Sequence, residues 1–166
     1  AMPRHHLTAC LIALLLAAPA AAQTSNRPQK PNFAAYPAEP ALRGGAKMPD
    51  FQGRDARFAE FRTRLTEAAR GRASFSGHYV IAEIGCGSGC NTRYVIDKAT
   101  GAVSLFPRGG AENPELGLQY KVGSALVVAT WRSPTDDKCW TEQLVLRNGV
   151  WDRFNGTYKS GAACFD

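Results

Sequence analysis

The sequence predicts an α+β domain over residues 50–166, in which one N-terminal helix packs on an antiparallel meandering sheet of about six to seven strands. Three observations predict this class. One segment has the apolar spacing of a helix, everything after Ser74 divides into short strand-like runs, and four cysteines in an exported chain indicate stabilising disulfides. The run 125–129 is apolar on both faces, which predicts a central strand covered on one side by the helix.

The predicted helix spans residues 55–70. Its apolar residues recur at the three- and four-residue spacing of a single helix face, with Leu65 near the middle, and charged residues occupy the other side. Asp50 or Asp55 can cap the start, and Gly71 is a stop signal. Because the polar side carries both signs of charge, the pattern favours a helix packed on the sheet over a helix bound to a membrane surface.

Regular short runs with turn signals between them predict the strands that follow the helix. The segment 97–101 suits a loop closed by a left-handed glycine. Asn148-Gly149 is a strong hairpin signal and places Leu146 opposite Trp151. The predicted strands cover residues 78–84, 92–97, 102–107, 116–122, 124–131, 140–147 and 150–155.

Residues 1–22 have the pattern of a secretory signal peptide. Arg4 precedes an apolar stretch at 7–18, and small residues at 20–22 suit a signal peptidase. The residues before Cys10 are of the types found in a lipoprotein box, which would make Cys10 a site of lipidation. In a lipoprotein the box follows the apolar core, whereas here most of the apolar core follows Cys10, so a cleaved signal peptide is favoured over lipidation. No later segment approaches the roughly 20 apolar residues of a membrane span. We therefore expect a periplasmic or secreted protein without a transmembrane segment.

Residues 23–49 contain five prolines among polar residues, which predicts an extended, largely unpacked and disordered Pro-rich linker; the alternative is that Phe33, Tyr36 and Leu42 attach parts of it to the domain. Without the signal, which contains Arg4, 144 of the 166 residues remain, with 19 of the 20 basic and all 14 acidic residues, a net charge of +5. The basic residues are scattered along the chain, which favours ordinary surface charge over attraction to an anionic cell-wall polymer, lipid headgroups or an acidic protein partner. No motif predicts nucleic-acid binding.

The remaining cysteines are Cys86, Cys90, Cys139 and Cys164, and an even number in an exported protein predicts disulfides. Three pairings are open to them, and we expect Cys86–Cys90 and Cys139–Cys164. The first closes a short glycine-rich turn. The second closes a loop of about 25 residues, and the chain-entropy model predicts that such a bond stabilises the folded protein by about 3 kcal/mol. A labile, regulatory Cys86–Cys90 bond is the alternative to a structural one.

Catalytic patterns are weak in this sequence. A thiol nucleophile needs a nearby base, and His78, the histidine left after the signal, precedes Cys86 by a strand of more than about 20 Å. A zinc site that combines His78 with cysteines competes with disulfide formation. The glycines around Ser88 lack both the phosphate-loop ending and the strand–turn–helix context of a nucleophile elbow. We therefore expect no catalytic residue, no cofactor and no metal.

Binding residues are predicted where exposed turns and aromatic or Arg side chains coincide. The turn 85–90 and the loop 111–117 are natural contact sites on a rigid sheet, and aromatic residues with Arg are typical of protein interfaces. Core packing is the alternative for the aromatic residues, and it is favoured for Trp151. The candidate binding surface contains Ser88, Asn113, Glu115, Trp131, Arg132 and Trp140.

Two motifs lie within residues 77–101: a Gly-Cys-Gly-Ser-Gly-Cys turn at 85–90, preceded by Gly-His-Tyr-Val at 77–80, and Ile-Asp-Lys-Ala-Thr-Gly at 96–101. With these motifs the chain resembles, over about residues 74–166, a group of small exported bacterial proteins. Members carry a signal peptide, a Gly-Cys-Gly-x-Gly-Cys turn, an Asp-x-x-Thr-Gly hairpin and a late strand pair near an Asn-Gly or Gly-Gly turn. The resemblance implies export and fold class, and it brings no catalytic residues.

The expected function is non-catalytic binding to a protein partner in the cell envelope. Its most concrete form is a periplasmic inhibitor or immunity-type protein that blocks an envelope-acting enzyme or toxin. One alternative is a cell-envelope thiol hydrolase or redox enzyme that uses Cys86 or Cys90. A second alternative is a cell-wall-binding accessory protein that uses its positive charge.

Overall fold

The structure is a computed structural model that describes residues 30–136, 138–160 and Cys164, with the backbone alone for 154–160. The predicted signal peptide, residues 1–22, and the first part of the predicted linker lie outside the described residues. Among the helices that are described, none is long and apolar enough to cross a membrane.

Within the described residues, one α-helix, α1, covers Arg62–Arg70, and a 3₁₀ segment, Ala56–Phe61, leads into it. Further 3₁₀ turns lie at Phe33–Ala35 and Gly110–Glu112. The predicted strands occur in the predicted order, with ends displaced by a few residues. They are β1 Tyr79–Gly87, β2 Cys90–Asp97, β3 Val103–Gly109, β4 Gly117–Tyr120, β5 Leu126–Arg132, β6 Lys138–Arg147 and β7 Val150–Ser160.

The strands form two antiparallel sheets, the first of β1–β2–β3 and the second of β4–β5–β6–β7, so the prediction of a single meandering sheet is wrong. The break falls between β3 and β4. There the Gly110–Glu112 turn and the residues after it carry the chain from one sheet to the other. Alternating strands are equally compatible with one sheet or two, because alternation shows that a face is buried but not what covers it.

The main core lies between the two sheets. Side chains alternate along β1, so Tyr79 and Ile81 face the second sheet while Val80 and Ala82 face the helix. At one end of this core the fully buried Phe75 ring stacks on Trp151, with 5.8 Å between ring centroids. The buried residues of this core are Phe75, Tyr79, Val95, Phe106, Leu116, Val127, Ala129, Trp131, Leu144 and Leu146.

Helix α1 covers the outer face of the first sheet. Its fully buried residues Leu65 and Ala69 pack with Tyr94 and Ile96 of β2 and with residues of β1. The prediction of one packed N-terminal helix is therefore confirmed. The prediction that this helix covers the central strand 125–129 is wrong, because that strand lies in the second sheet.

Side chains hold both ends of the helical segment against the first sheet. Asp55 precedes the 3₁₀ turn but does not cap it; its carboxylate accepts a hydrogen bond from the Val103 N–H at 3.0 Å. At the other end, the buried Lys98 Nζ donates to the carbonyl oxygens of Ala69 and of Gly71, the latter at 2.6 Å. A cation at this position also complements the negative end of the helix dipole.

Residues 31–49, here called the N-terminal strap, cover part of the outer face of the second sheet at Phe33 and Tyr36 and then reach the turn after β2, where the Lys47 N–H donates to the Lys98 carbonyl. Phe33 and Tyr36 pack on buried apolar side chains of β5 and β6, so these two residues follow the alternative in which they attach the segment to the domain. The Ser124 hydroxyl lies 2.9 Å from the carbonyl oxygens of both residues. The strap is part of the segment that the sequence assigns to a linker; it has little regular secondary structure, and it belongs to the same compact unit as the sheets.

The β6–β7 hairpin has the predicted geometry. Asn148 and Gly149 have φ angles of 50° and 75°, the positive values that a tight hairpin turn requires, and Leu146 pairs with Trp151. The turn between β2 and β3 is likewise closed by Gly101, at a φ of 80°. Local turn chemistry therefore determines the register of these hairpins.

Candidate functional site

The glycine-rich turn 85–90 forms the tip of the β1–β2 hairpin. The predicted Cys86–Cys90 disulfide closes it, and residues 85–89 are all exposed. Two of its glycines have φ angles of 129° and 68°, a region that side chains disfavour. Because both cysteines are bonded, Ser88 has the one free side chain of this turn.

The loop 110–116, which connects the two sheets, packs against the turn. The Glu115 N–H donates to the Gly89 carbonyl at 2.9 Å, and Glu115 itself has a φ of 57°. The Asn113 Oδ1 accepts from the Gly109 N–H at 3.0 Å and so fixes the start of the loop. The connection between the sheets is therefore held beside the disulfide-closed turn.

Arg132, at the end of β5, extends this contact to the second sheet. Its backbone N–H donates to the Pro114 carbonyl at 3.1 Å, and its Nε donates to the Glu115 carboxylate at 3.2 Å. Arg132 pairs in register with Cys139, which forms the second predicted disulfide with Cys164. Both disulfides therefore lie at the same end of the two sheets.

We use the name turn surface for residues 85–90, the loop 110–116 without its buried Leu116, and Arg132. It contains four of the residues predicted to bind a partner: Ser88, Asn113, Glu115 and Arg132. These residues come from three separate parts of the chain, and backbone hydrogen bonds bring those parts together. Their proximity is an outcome of the tertiary structure, since no local pattern in the sequence joins them.

The two tryptophans predicted for this surface lie elsewhere. Trp131 is 9% exposed and belongs to the core between the sheets, so the prediction that it is an exposed binding residue is wrong. The Arg108 guanidinium lies 5.2 Å from the Trp131 ring and makes two hydrogen bonds, of 2.8 and 3.1 Å, to the Glu142 carboxylate of the other sheet. Trp140 is half-buried, opposite Trp131 on β6, and packs against the same core.

The sequence analysis did not identify the buried Arg93, whose side chain hydrogen-bonds to the last residue of the loop 110–116. Its Nη2 donates to the Leu116 carbonyl at 3.1 Å, and its Nη1 lies 2.7 Å from the Glu83 carboxylate. Asn91 Nδ2 donates to the same Leu116 carbonyl at 3.4 Å. An Arg in a strand usually indicates a solvent-facing position. The alternation of side chains along a strand could have indicated its burial, because residue 93 lies on the same strand face as the buried Val95.

A second polar cluster lies at the opposite end of β1. The His78 Nδ1 donates to the Pro40 carbonyl at 2.8 Å, and its Nε2 lies 3.4 Å from Asp97 and 3.7 Å from Glu39. The Tyr79 hydroxyl donates to Glu39 at 3.2 Å. Burial, together with the charges of Glu39 and Asp97, raises the pKa of Tyr79, so this hydroxyl stays protonated as a donor. These contacts attach the N-terminal strap to the first sheet.

This His78 cluster does not complete a thiol site. His78 precedes β1 whereas Cys86 lies near its other end, and Cys86 is bonded to Cys90. In the described chain, no group of three or more His, Cys, Asp or Glu side chains is arranged to hold a metal ion. A cavity of about 140 Å³ adjoins the cluster, lined by Tyr79, Val95, Asp97, Ala102, Ser104, Leu146 and Gly149.

The turn surface and the His78 cluster differ in what their polar groups already contact. Glu39 and His78 are used in hydrogen bonds and ion pairs between the strap and the sheet. The disulfide-closed turn, by contrast, presents five consecutive exposed residues. The turn surface is therefore the better candidate for contact with another molecule. Comparisons with protein-family models, with curated proteins and with solved structures find no match to this chain.

Proposed function

We propose that this chain is an exported, non-catalytic binding protein whose turn surface contacts a protein partner in the cell envelope. In its most concrete form it is a periplasmic inhibitor or immunity-type protein that blocks an envelope-acting enzyme or toxin. The observation that carries this proposal is the convergence of the disulfide-closed turn, the loop 110–116 and Arg132 at one exposed edge. The resemblance to small exported proteins forms part of the same proposal.

Rigidity supports a binding role for the turn surface. The turn is closed by a disulfide and hydrogen-bonded to the loop 110–116, so little backbone entropy is lost when a partner binds it. The tip is narrow because its glycines have no side chains, and Ser88 is the residue whose side chain projects from it. A narrow, pre-organised tip with exposed backbone groups suits insertion into a cleft of the partner.

Replacing Ser88 with Arg should weaken partner binding at least about tenfold, because a long charged side chain at the tip prevents close approach. The measurement is a quantitative pull-down from envelope extract with immobilised protein, followed by titration of the captured partner. Val122→Arg is the matched control, because Val122 is exposed in the turn between β4 and β5, at the opposite end of the sheets. Equal capture by both variants would place the interface elsewhere, and absence of any stoichiometric partner would contradict protein binding.

The double substitution Cys86→Ser and Cys90→Ser should lower the free energy of unfolding by about 2 kcal/mol, the chain-entropy value for so short a loop. It should also weaken partner binding, because the tip loses its fixed shape. Urea unfolding and the same pull-down measure the two effects. Thiol titration of the native protein should find neither cysteine reactive. A reactive, low-pKa thiol at either position would support the alternative thiol or redox enzyme.

A further inference from the structure

The excess of positive charge lies in residues 1–73. Residues 41–73 contain eight basic and four acidic side chains, whereas residues 74–166 contain nine of each. The sheets and their loops are therefore close to neutral overall. Residues 41–73 include helix α1, which lies on the outside of the first sheet. The positive charge of this segment is therefore placed together on one part of the protein surface.

Helix α1 exposes three arginines to solvent. Leu65 and Ala69 are buried against the sheet, while Arg62, Arg64 and Arg70 are exposed. In the described part of the chain, these three arginines make no ion pair within 4 Å. Arg57 and Arg72 are also exposed, just before and just after the helix, and the exposed acids among them are Glu60 and Glu67.

We propose that this arginine face, Arg57, Arg62, Arg64, Arg70 and Arg72, docks the protein on the surface of an anionic phospholipid bilayer. Guanidinium groups form paired hydrogen bonds with phosphate oxygens, and their charge is complementary to that of acidic headgroups. The apolar side of α1 is already covered by the first sheet, so the helix does not insert into the bilayer. Binding is therefore electrostatic and reversed by salt.

The shape of this region favours a flat partner over a polymer chain. α1 lies on the outside of the first sheet as a single convex rod, and none of its residues lines either of the two described cavities. An extended anionic polymer gains most from a groove that follows its backbone, whereas a bilayer contacts every outward residue of a convex helix. Docking through α1 also leaves the turn surface, at the tip of the β1–β2 hairpin, available to a protein partner.

The test measures co-sedimentation of the full chain with phosphatidylcholine vesicles, with and without phosphatidylglycerol. We expect binding only to vesicles that contain phosphatidylglycerol, and release at high salt. The double variant Arg64→Gln and Arg70→Gln should bind about 30-fold more weakly, since each basic side chain near an anionic surface contributes about fivefold. The matched control is Arg147→Gln and Arg153→Gln, which removes the same charge from exposed positions of the second sheet and should change binding less than about threefold.

Three outcomes would overturn the proposal. One is equal binding to vesicles with and without the acidic lipid. Another is equal weakening by the two double variants, which would show attraction by net charge without a defined face. The third is failure to bind vesicles together with salt-sensitive binding to an isolated anionic wall polymer, which would assign the arginine face to that polymer. Partner capture by the turn surface is measured separately, so either proposal can fail alone.

Discussion

Replacing Phe75 with Ala should lower the free energy of unfolding by about 4 kcal/mol, because the substitution leaves a cavity between the two sheets. Phe75 is fully buried, and its ring lies 5.8 Å from that of Trp151, 6.0 Å from Tyr120 and 6.3 Å from Tyr79. These neighbours come from β7, β4 and β1, so Phe75 joins both sheets. A loss of this size is a large fraction of the roughly 5–15 kcal/mol that stabilises a typical domain.

Urea unfolding followed by tryptophan fluorescence measures the effect of Phe75→Ala, and the melting temperature should fall by more than about 10 °C. Leu105→Ala is the control, because Leu105 lies on β3 with 49% of its surface exposed. That substitution should cost less than about 1 kcal/mol. A loss below about 1 kcal/mol for Phe75→Ala would mean that the sheets are not packed around this ring.

The features that could be predicted from the sequence are those determined by neighbouring residues. Asn148 and Gly149 adopt positive φ at little cost, so their hairpin and the pairing of Leu146 with Trp151 follow from the local sequence. The Cys86–Cys90 bond also joins near neighbours across one turn. The Cys139–Cys164 pairing follows from elimination once the first bond is made, because only two of the four cysteines that follow the predicted signal then remain.

The features that could not be predicted depend on which surfaces meet. The alternation along β1 indicates two buried faces, but it does not show that one contacts a second sheet and the other contacts α1. Trp131 has the composition of an interface residue, and only the position of β5 within the second sheet places it in the core. In the strap, Glu39 reaches Tyr79 and the Asn148 N–H, contacts between residues far apart in sequence.

In the candidate site, too, some features could be predicted from neighbouring residues and others depend on which surfaces meet. Exposure of the turn 85–90 follows from its glycines and its place between two strands. Its contact with Glu115, and the contact of Glu115 with Arg132, depend on the path of the loop 110–116 between two sheets that the sequence does not separate. The exposure of the turn could therefore be predicted from the sequence, whereas the surface that it forms with the loop 110–116 and Arg132 could not.

Replacing Asp55 with Ala should lower the free energy of unfolding by about 3 kcal/mol, because it removes the acceptor for the buried Val103 N–H and for two partly buried donors. Asp55 is 1% exposed, and its carboxylate accepts from the Val103 N–H at 3.0 Å, the Asp50 N–H at 2.9 Å and the Arg54 Nη2 at 2.9 Å. Asp55 therefore joins the end of the strap to β3 and to the start of the helical segment. Glu67→Gln, at an exposed position of α1, is the control and should leave stability unchanged.

The contribution of Asp55 should also disappear in acid. Burial alone would raise the pKa of this carboxyl, but the hydrogen bonds from Arg54, Val103 and Asp50 outweigh burial, so the folded-state pKa lies below its usual value. A lowered folded-state pKa stabilises the protein above the unfolded pKa of about 4, and this contribution is lost as the pH falls through the folded value. The difference in unfolding free energy between wild type and Asp55→Asn, measured in urea, should therefore be constant near neutral pH and shrink below about pH 4. A difference that stays constant down to acid unfolding would show that Asp55 acts through shape and not through its charge.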